Sequence, residues 1–186
     1  MEDPYYRDNE DAALALMEKD FLYAACFVPE EGILNCPTQV LRFEGVDTVA
    51  DIRLNGVLLA HVENMHRTFQ FEVGGILKPG ENWLEVKLYS PTKWIREHYR
   101  QNPAEGSSDA MKGFANLRKA QLHVWLGLGP PPSDAGPCGG RFPLLGIDGA
   151  KLAGVQVRQR HEHGRVTHFH LSCVRVCVCK RISPIQ

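Results

Sequence analysis

Apolar and polar residues alternate along much of the chain in short runs. Between Val49 and Asn55, Ala50, Ile52 and Leu54 alternate with Asp51, Arg53 and Asn55, so a strand here has one apolar and one polar face. Asn55-Gly56 then supplies two residues that tolerate positive φ, as a two-residue hairpin turn requires, and Val57 to Val62 is the expected return strand. Phe21 to Phe27 and Gln39 to Glu44 are further runs of strand length. Phe69, Phe71 and Val73 alternate until Gly74-Gly75 ends the run, and Leu84, Val86 and Leu88 face away from Glu85 and Lys87. Between these two, "LKPGEN" predicts a turn, with Pro79 presetting φ and Gly80 in the positive-φ position. Val155 to Arg160 and Val166 to Val178 resume the strand pattern. Helical spacing is confined to Asp11 to Asp20 and to "TKWIREHYRQ". Short strands at regular intervals with turns between them predict an all-β antiparallel sandwich carrying one or two short helices.

Length and composition narrow the partners. With 186 residues and 44% hydrophobic content, the chain is expected to fold as one domain, residues 1–186, around one core. The 21 basic and 22 acidic residues are spread without long runs, so neither nucleic acid nor a membrane is expected as a partner. "MEDPYYRDNEDAALALMEKD" lacks the basic and apolar regions of a secretion signal, and no apolar run approaches the roughly 18 residues of a membrane span. A soluble, cytoplasmic protein is expected. Cys173, Cys177 and Cys179 crowd the end of the chain while Cys26, Cys36 and Cys138 are scattered, unlike a disulfide scaffold, so free, buried thiols are expected.

Three groups of residues invite a chemical reading. His161 and His163, His168 and His170, and Cys177 and Cys179 are i, i+2 pairs, each on one face of a strand, with Cys173 on the face of the other two cysteines. Zinc sites built on cysteine use turns that let the sulfurs converge, whereas Val174, Val176 and Val178 make this a continuous strand; no metal and no cofactor are expected. Asp47, Asp51 and Glu63 surround the first hairpin without a spacing that pairs them as acid and base, and a solvated sheet face accounts for them. Trp83 and Trp94 are expected to pack into a core or against another domain.

"LRFEGVDTVADIRLNG" followed by "NMHRTFQFEVGGILKPGENWLEVKLYSP" resembles the amino-terminal sugar-binding domain of glycoside hydrolase family 2 enzymes. "EDPYYRDNE" and "LRKAQLHVW" make the resemblance specific to β-mannosidases. It covers most of residues 2–136, is strongest from Phe43 to Pro91, and leaves 141–186 as weakly matched final strands. The resemblance implies a jelly-roll-like, galactose-binding-domain-like β-sandwich in a parent enzyme whose catalytic carboxylates lie on a separate (β/α)₈ barrel. Such a barrel takes about 250 residues, so no catalytic residue is expected in this chain. Family members carry further strands before the "DPYY" segment, which implies a domain incomplete at its amino end, with an exposed sheet edge. Asn64 and Arg67 fall at positions that shape the domain's edge, where structural hydrogen bonding is expected over ligand contact.

The resemblance also gives "LHVWLGLGPPPSDAGPCGG", Leu122 to Gly140, a meaning. The β-mannosidase counterpart reads Gly-Trp-Asp-Trp-Gly-Pro and extends toward the barrel, where its aspartate and tryptophan help hold the terminal mannose. Aligned on Gly129-Pro130, this chain has Trp125 at the first glycine, Leu126 and Leu128 at the tryptophans, and Gly127 at the aspartate; Cys138 replaces a later tryptophan. Trp125 and Gly127 are thus the implied carbohydrate-binding positions of an eroded loop, with Trp125 as a packing plug the other reading. The expected function is that of a non-catalytic sugar-binding-type domain of a β-mannosidase-like hydrolase. Its partners would be a mannoside or a catalytic barrel. A freestanding carbohydrate-binding module and a subunit complementing a separately encoded barrel are the alternatives.

Overall fold

The computed structural model describes residues 15–104, 106, 112–119, 136–137, 142–148, 154–162, 165–175 and 179–185. In chain order the elements are β1 (Phe21–Phe27), α1 (Glu31–Leu34), β2 (Thr38–Phe43), β3 (Val46–Asp47), β4 (Ala50–Leu54), β5 (Val57–Val62), β6 (Phe69–Glu72), β7 (Asn82–Leu88) and α2 (Pro91–Gln101). A 3₁₀ turn at Phe114–Asn116 follows, then β8 (Gly136–Pro137), β9 (Phe142–Ile147), β10 (Gly154–Glu162), β11 (Arg165–Arg175) and β12 (Cys179–Ile185). Two four-stranded antiparallel sheets, β1-β7-β4-β5 and β12-β9-β2-β6, form a sandwich; β10 and β11 make a separate hairpin, and β3 pairs with β8.

The core follows the alternation. Ala50, Ile52 and Leu54 of β4 and Leu84, Val86 and Leu88 of β7 meet Leu41, Phe43 and Leu144 of the opposite sheet, and Val73 just past β6, in one cluster. Removing each large side chain of this set from water contributes about 1.5–3 kcal/mol, which holds the two sheets together. Phe43 also lies 4.7 Å from Phe142 and 6.0 Å from Phe71, ring centre to ring centre. The α1 turn buries Ile33 in the same core, and the buried Gln39 side chain donates to the carbonyls of Ile33, Leu34 and Cys36 at the end of the short helix.

Turn chemistry fixes the first hairpin as expected: Asn55 and Gly56 take φ of 52° and 83°. The second turn departs from expectation, because Gly80 is not at positive φ. Asn82 closes it instead. Its fully buried side chain accepts from Lys78 N and Asn55 Nδ2 and donates to the carbonyls of Lys78 and Gly80. A four-bonded amide satisfies both of its donor hydrogens and both acceptor lone pairs in the interior, so the turn needs no left-handed glycine.

At α2, Ser90 caps the amino end, its Oγ accepting from Lys93 N, and Pro91 follows as a helix-compatible first residue. Ser90 and Thr92 hydroxyls donate to Met17 O, and Ser90 N donates to Asp20 Oδ1, which ties the segment before β1 to this helix. Of the helix expected over Asp11 to Asp20, residues 15–17 are helical and those before 15 lie outside the described residues. The strand expected over Val166 to Val178 is found as far as Arg175, and residues 176–178 lie outside the described residues. β11 ends at Arg175 and pairs with β10, whereas β12 begins at Cys179 and pairs with β9. Cys173 and Cys179 therefore sit in different sheets and share no strand face.

Candidate functional site

The glycine- and proline-rich loop enters after Lys119 and returns at Gly136. Residues 120–135, including Trp125 and Gly127, lie outside the described residues, as does Cys138. Both feet of the loop are described, and one dipeptide holds them. On the returning side, β8 pairs with β3 in the register Val46 to Pro137 and Asp47 to Gly136. On the entering side, the Lys119 ammonium donates to Asp47 Oδ2, and the two side chains are only 1% and 4% exposed. Thr48 Oγ1 donates to the other carboxylate oxygen. Asp47 thus fixes one foot through its backbone and the other through its side chain.

Neighbouring contacts stiffen the entering foot. Arg118 bridges to Asn64 in parallel fashion, and Met65 N donates to Arg118 O at 3.1 Å. Leu117 and Phe114 are buried with Val49 and Ile95 in a second cluster, which Tyr89 and Trp94 flank. Gly113 starts the 3₁₀ turn at φ 85°, where a Cβ would lie 2.6 Å from Tyr99 Cβ. Only glycine fits there.

The carboxylates expected on a solvated face are corrected by these contacts. Asp47 is buried and ion-paired, not solvated, because the loop's own Lys119 covers it; no sequence spacing announces a pair 72 residues apart. Asp51 is mostly buried as well. Its Oδ1 lies 2.6 Å from His61 Nδ1 and its Oδ2 accepts from Tyr89 OH at 2.8 Å. Burial by itself would raise the Asp51 pKa, but hydrogen bonds from His61 and Tyr89, with the nearby charges of His61 and Arg53, hold it below its ordinary 3.8. Tyr89 moves the other way, raised by its hydrogen bond to Asp51, by burial and by the Asp51 charge. Glu63 reaches His61 Nε2 at 3.4 Å and remains largely exposed.

The remaining candidates divide. Trp94 is half-buried and stacks on His98 at 3.9 Å, as packing expectation has it. Trp83 is 52% exposed on the outer face of β7, contrary to that expectation, because its neighbours Leu84 and Asn82 take the inward positions. Asn64 Oδ1 accepts from His66 N, and the Arg67 guanidinium lies 5.7 Å from the Phe69 ring centre, so both have structural partners. Cys36 is buried and free as expected; Cys26 is free but exposed. The side chains of His161, His163, His168, His170, Cys173, Cys177 and Cys179 lie outside the described residues. A cleft of about 400 Å³ along α2 is lined by Glu18, Thr92, Arg96, Tyr99, Arg100 and Lys112, with Arg96 paired to Glu18. Among the described residues, no helix is long and apolar enough to cross a membrane.

Known proteins share this architecture. The family model described as glycosyl hydrolase 2 galactose-binding domain-like matches residues 1–139. The chain is similar to beta-mannosidase B of Neosartorya fischeri, 29% identical over 177 residues that make up 91% of this chain and 20% of that protein. It is also similar to the beta-mannosidase of Bos taurus, 29% identical over 104 residues, 56% of this chain and 12% of that one. Among solved structures, a beta-D-mannosidase from Dictyoglomus thermophilum matches with a TM-score of 0.77 at 24% identity, over 100% of this chain and 27% of the other. A beta-glycosidase from Bacteroides vulgatus matches with a TM-score of 0.51 at 17% identity, over 84% and 16%. The chain spans 20% of the length of the fungal relative it matches.

Proposed function

The chain belongs to the galactose-binding domain-like family of glycosyl hydrolase 2 proteins, as a domain of β-mannosidase-like type, and from that premise we propose that its role is positional. The sandwich is a rigid mount that holds the loop spanning 120–135 toward the sugar pocket of a catalytic barrel and performs no bond cleavage itself. The observation that carries this reading is Asp47, which ties both feet of the loop to one short strand through a buried ion pair and a backbone register. A loop that only connected two strands would not require a desolvated charge pair at its base, since such a pair contributes geometry more than stability.

The loop's composition supports a positional role over tight sugar capture. Leu126, Gly127 and Leu128 offer neither an aromatic face for a pyranose ring nor a carboxylate for its hydroxyls. Two measurements on the full chain test the proposal. Incubation with an aryl β-mannoside should release no phenol above the buffer rate. Titration with mannose and manno-oligosaccharides should give no saturable heat or chemical-shift change at millimolar sugar. Release of phenol removes the positional reading altogether, and saturable binding without release replaces it with a freestanding carbohydrate-binding module.

A further inference from the structure

The cleft along α2 gathers cations that the fold leaves uncompensated. Thr92, Arg96, Tyr99 and Arg100 stand at i, i+4, i+7 and i+8 of the helix, share one of its faces and form one wall. Lys112 supplies the facing side. It is placed there by Gly113, whose backbone lies so close to the helix that a Cβ would come within 2.6 Å of Tyr99 Cβ. Glu18, ahead of β1, is the acid of the lining and pairs with Arg96. The Arg96 guanidinium is held a second time by its Nε, which donates to Thr92 O at 3.2 Å. Among the described residues Arg100 and Lys112 have no acidic partner, so the lining sets three cations against one anion. In a chain of 21 basic and 22 acidic residues, an excess of two positive charges around one concave space does not follow from composition.

We propose that this cleft binds a phosphate monoester with a body the size of one sugar ring, the phosphate held by Arg100 and Lys112 and the ring laid against Tyr99. Charge favours a phosphate over a carboxylate. A phosphate monoester carries about −1.5 to −2 at neutral pH, which matches the excess of two, whereas a carboxylate cancels only half of it. Donor geometry agrees, because a guanidinium fork takes two phosphate oxygens side by side and an ammonium takes a third as a point charge. Arg96, fixed to Glu18 and Thr92 O, adds positive potential from a set position. Size limits the body. About 400 Å³ is at the small end of ligand pockets, with room beyond a bare phosphate and too little for an oligosaccharide. The half-buried Tyr99 offers the aromatic face on which the C–H side of a pyranose packs. None of this depends on the loop spanning 120–135, which the cleft does not include.

Isothermal titration calorimetry of the full chain with glucose 6-phosphate, mannose 6-phosphate, inorganic phosphate and the two neutral hexoses tests this. At low salt at least one of the sugar phosphates should bind saturably with a dissociation constant of about 1 mM or tighter. Inorganic phosphate should bind at least about five-fold more weakly, and the neutral hexoses should give no saturable heat. Raising the salt from about 20 to 200 mM should weaken the sugar phosphate several-fold, since the site is open to screening. Arg100→Gln and Lys112→Gln are the deciding variants. Both residues are exposed, so the fold should persist, and each substitution should weaken binding about ten-fold by removing one charge-assisted contact. Lys78→Gln is the control for net charge: Lys78 is exposed and precedes β7, at the end of that strand remote from α2, and its loss should leave binding unchanged. No saturable heat with either sugar phosphate up to about 10 mM, inorganic phosphate or a neutral hexose binding as tightly, affinity unchanged in Arg100→Gln and Lys112→Gln, or an equal loss in Lys78→Gln would each overturn the proposal.

Discussion

Replacing Lys119 by methionine removes the charge that faces Asp47 while keeping most of the side-chain volume. The partners are 1% and 4% exposed, so water does not reach the carboxylate left behind. Breaking a buried pair from one side costs about 3–5 kcal/mol, most of it the desolvation of the remaining ion. A domain has some 5–15 kcal/mol in total, so the variant should lose about a fifth of its stability or more. With a urea dependence of about 2 kcal/mol per molar, the unfolding midpoint should fall by roughly 2 M. Asp47→Asn alone should cost a similar amount by stranding the ammonium, whereas the double variant should recover more than about 1 kcal/mol of the summed loss, because it removes both charges. Equilibrium unfolding followed by tryptophan fluorescence and by circular dichroism measures this cycle. Limited proteolysis supplies the functional readout: cleavage within residues 120–135 should accelerate in each single variant by more than the change in global stability explains. A cost under about 1 kcal/mol for Lys119→Met, or strictly additive effects, would refute the reasoning that a desolvated pair anchors the loop.

Three further outcomes follow from named contacts. Asn82→Ala takes a partner from Lys78 N, from the carbonyls of Lys78 and Gly80 and from the Asn55 amide, which keeps only its bond to Ile76 O, and should cost about 3 kcal/mol in urea unfolding, whereas a surface-like loss of a few tenths would show that water replaces the amide. Gly113→Ala combines a left-handed backbone with a Cβ 2.6 Å from Tyr99 Cβ and should lose about 2–4 kcal/mol by thermal unfolding; Tyr99→Gly in the same chain, which removes that Cβ, should recover more of the steric part than Tyr99→Ala, which keeps it, and neither should recover the backbone part. Asp51 is held below its ordinary 3.8 in the folded state, so its contribution is present above that value and lost as pH falls through the lowered folded value. Unfolding midpoints followed from about pH 5 to pH 2 should therefore drop more steeply in the wild type than in Asp51→Asn, and parallel profiles would remove the His61–Asp51–Tyr89 network as a source of acid sensitivity.

What the sequence by itself determined is local. Alternation in Ala50–Leu54 and Leu84–Leu88 set which side chains face the core, because a strand's period of two admits no other assignment once one face is apolar. Asn55-Gly56 set the first hairpin, since two consecutive positive φ values restrict the residue choice at the turn itself. The phrases around Phe43 to Pro91 were enough to place the chain in its family. What only the tertiary structure decided depends on residues distant in the chain. β3 and β8 are two residues each and carry no periodic signal; they exist because the loop folds back onto Val46 and Asp47. The closure of the second turn by Asn82 in place of Gly80, and the burial of Asp47 beneath Lys119, likewise arise from partners that a window of neighbouring residues does not contain. Periodicity reports which face a residue takes, but burial and pairing depend on what the rest of the chain lays over that face, and the loop's anchor belongs to this second kind.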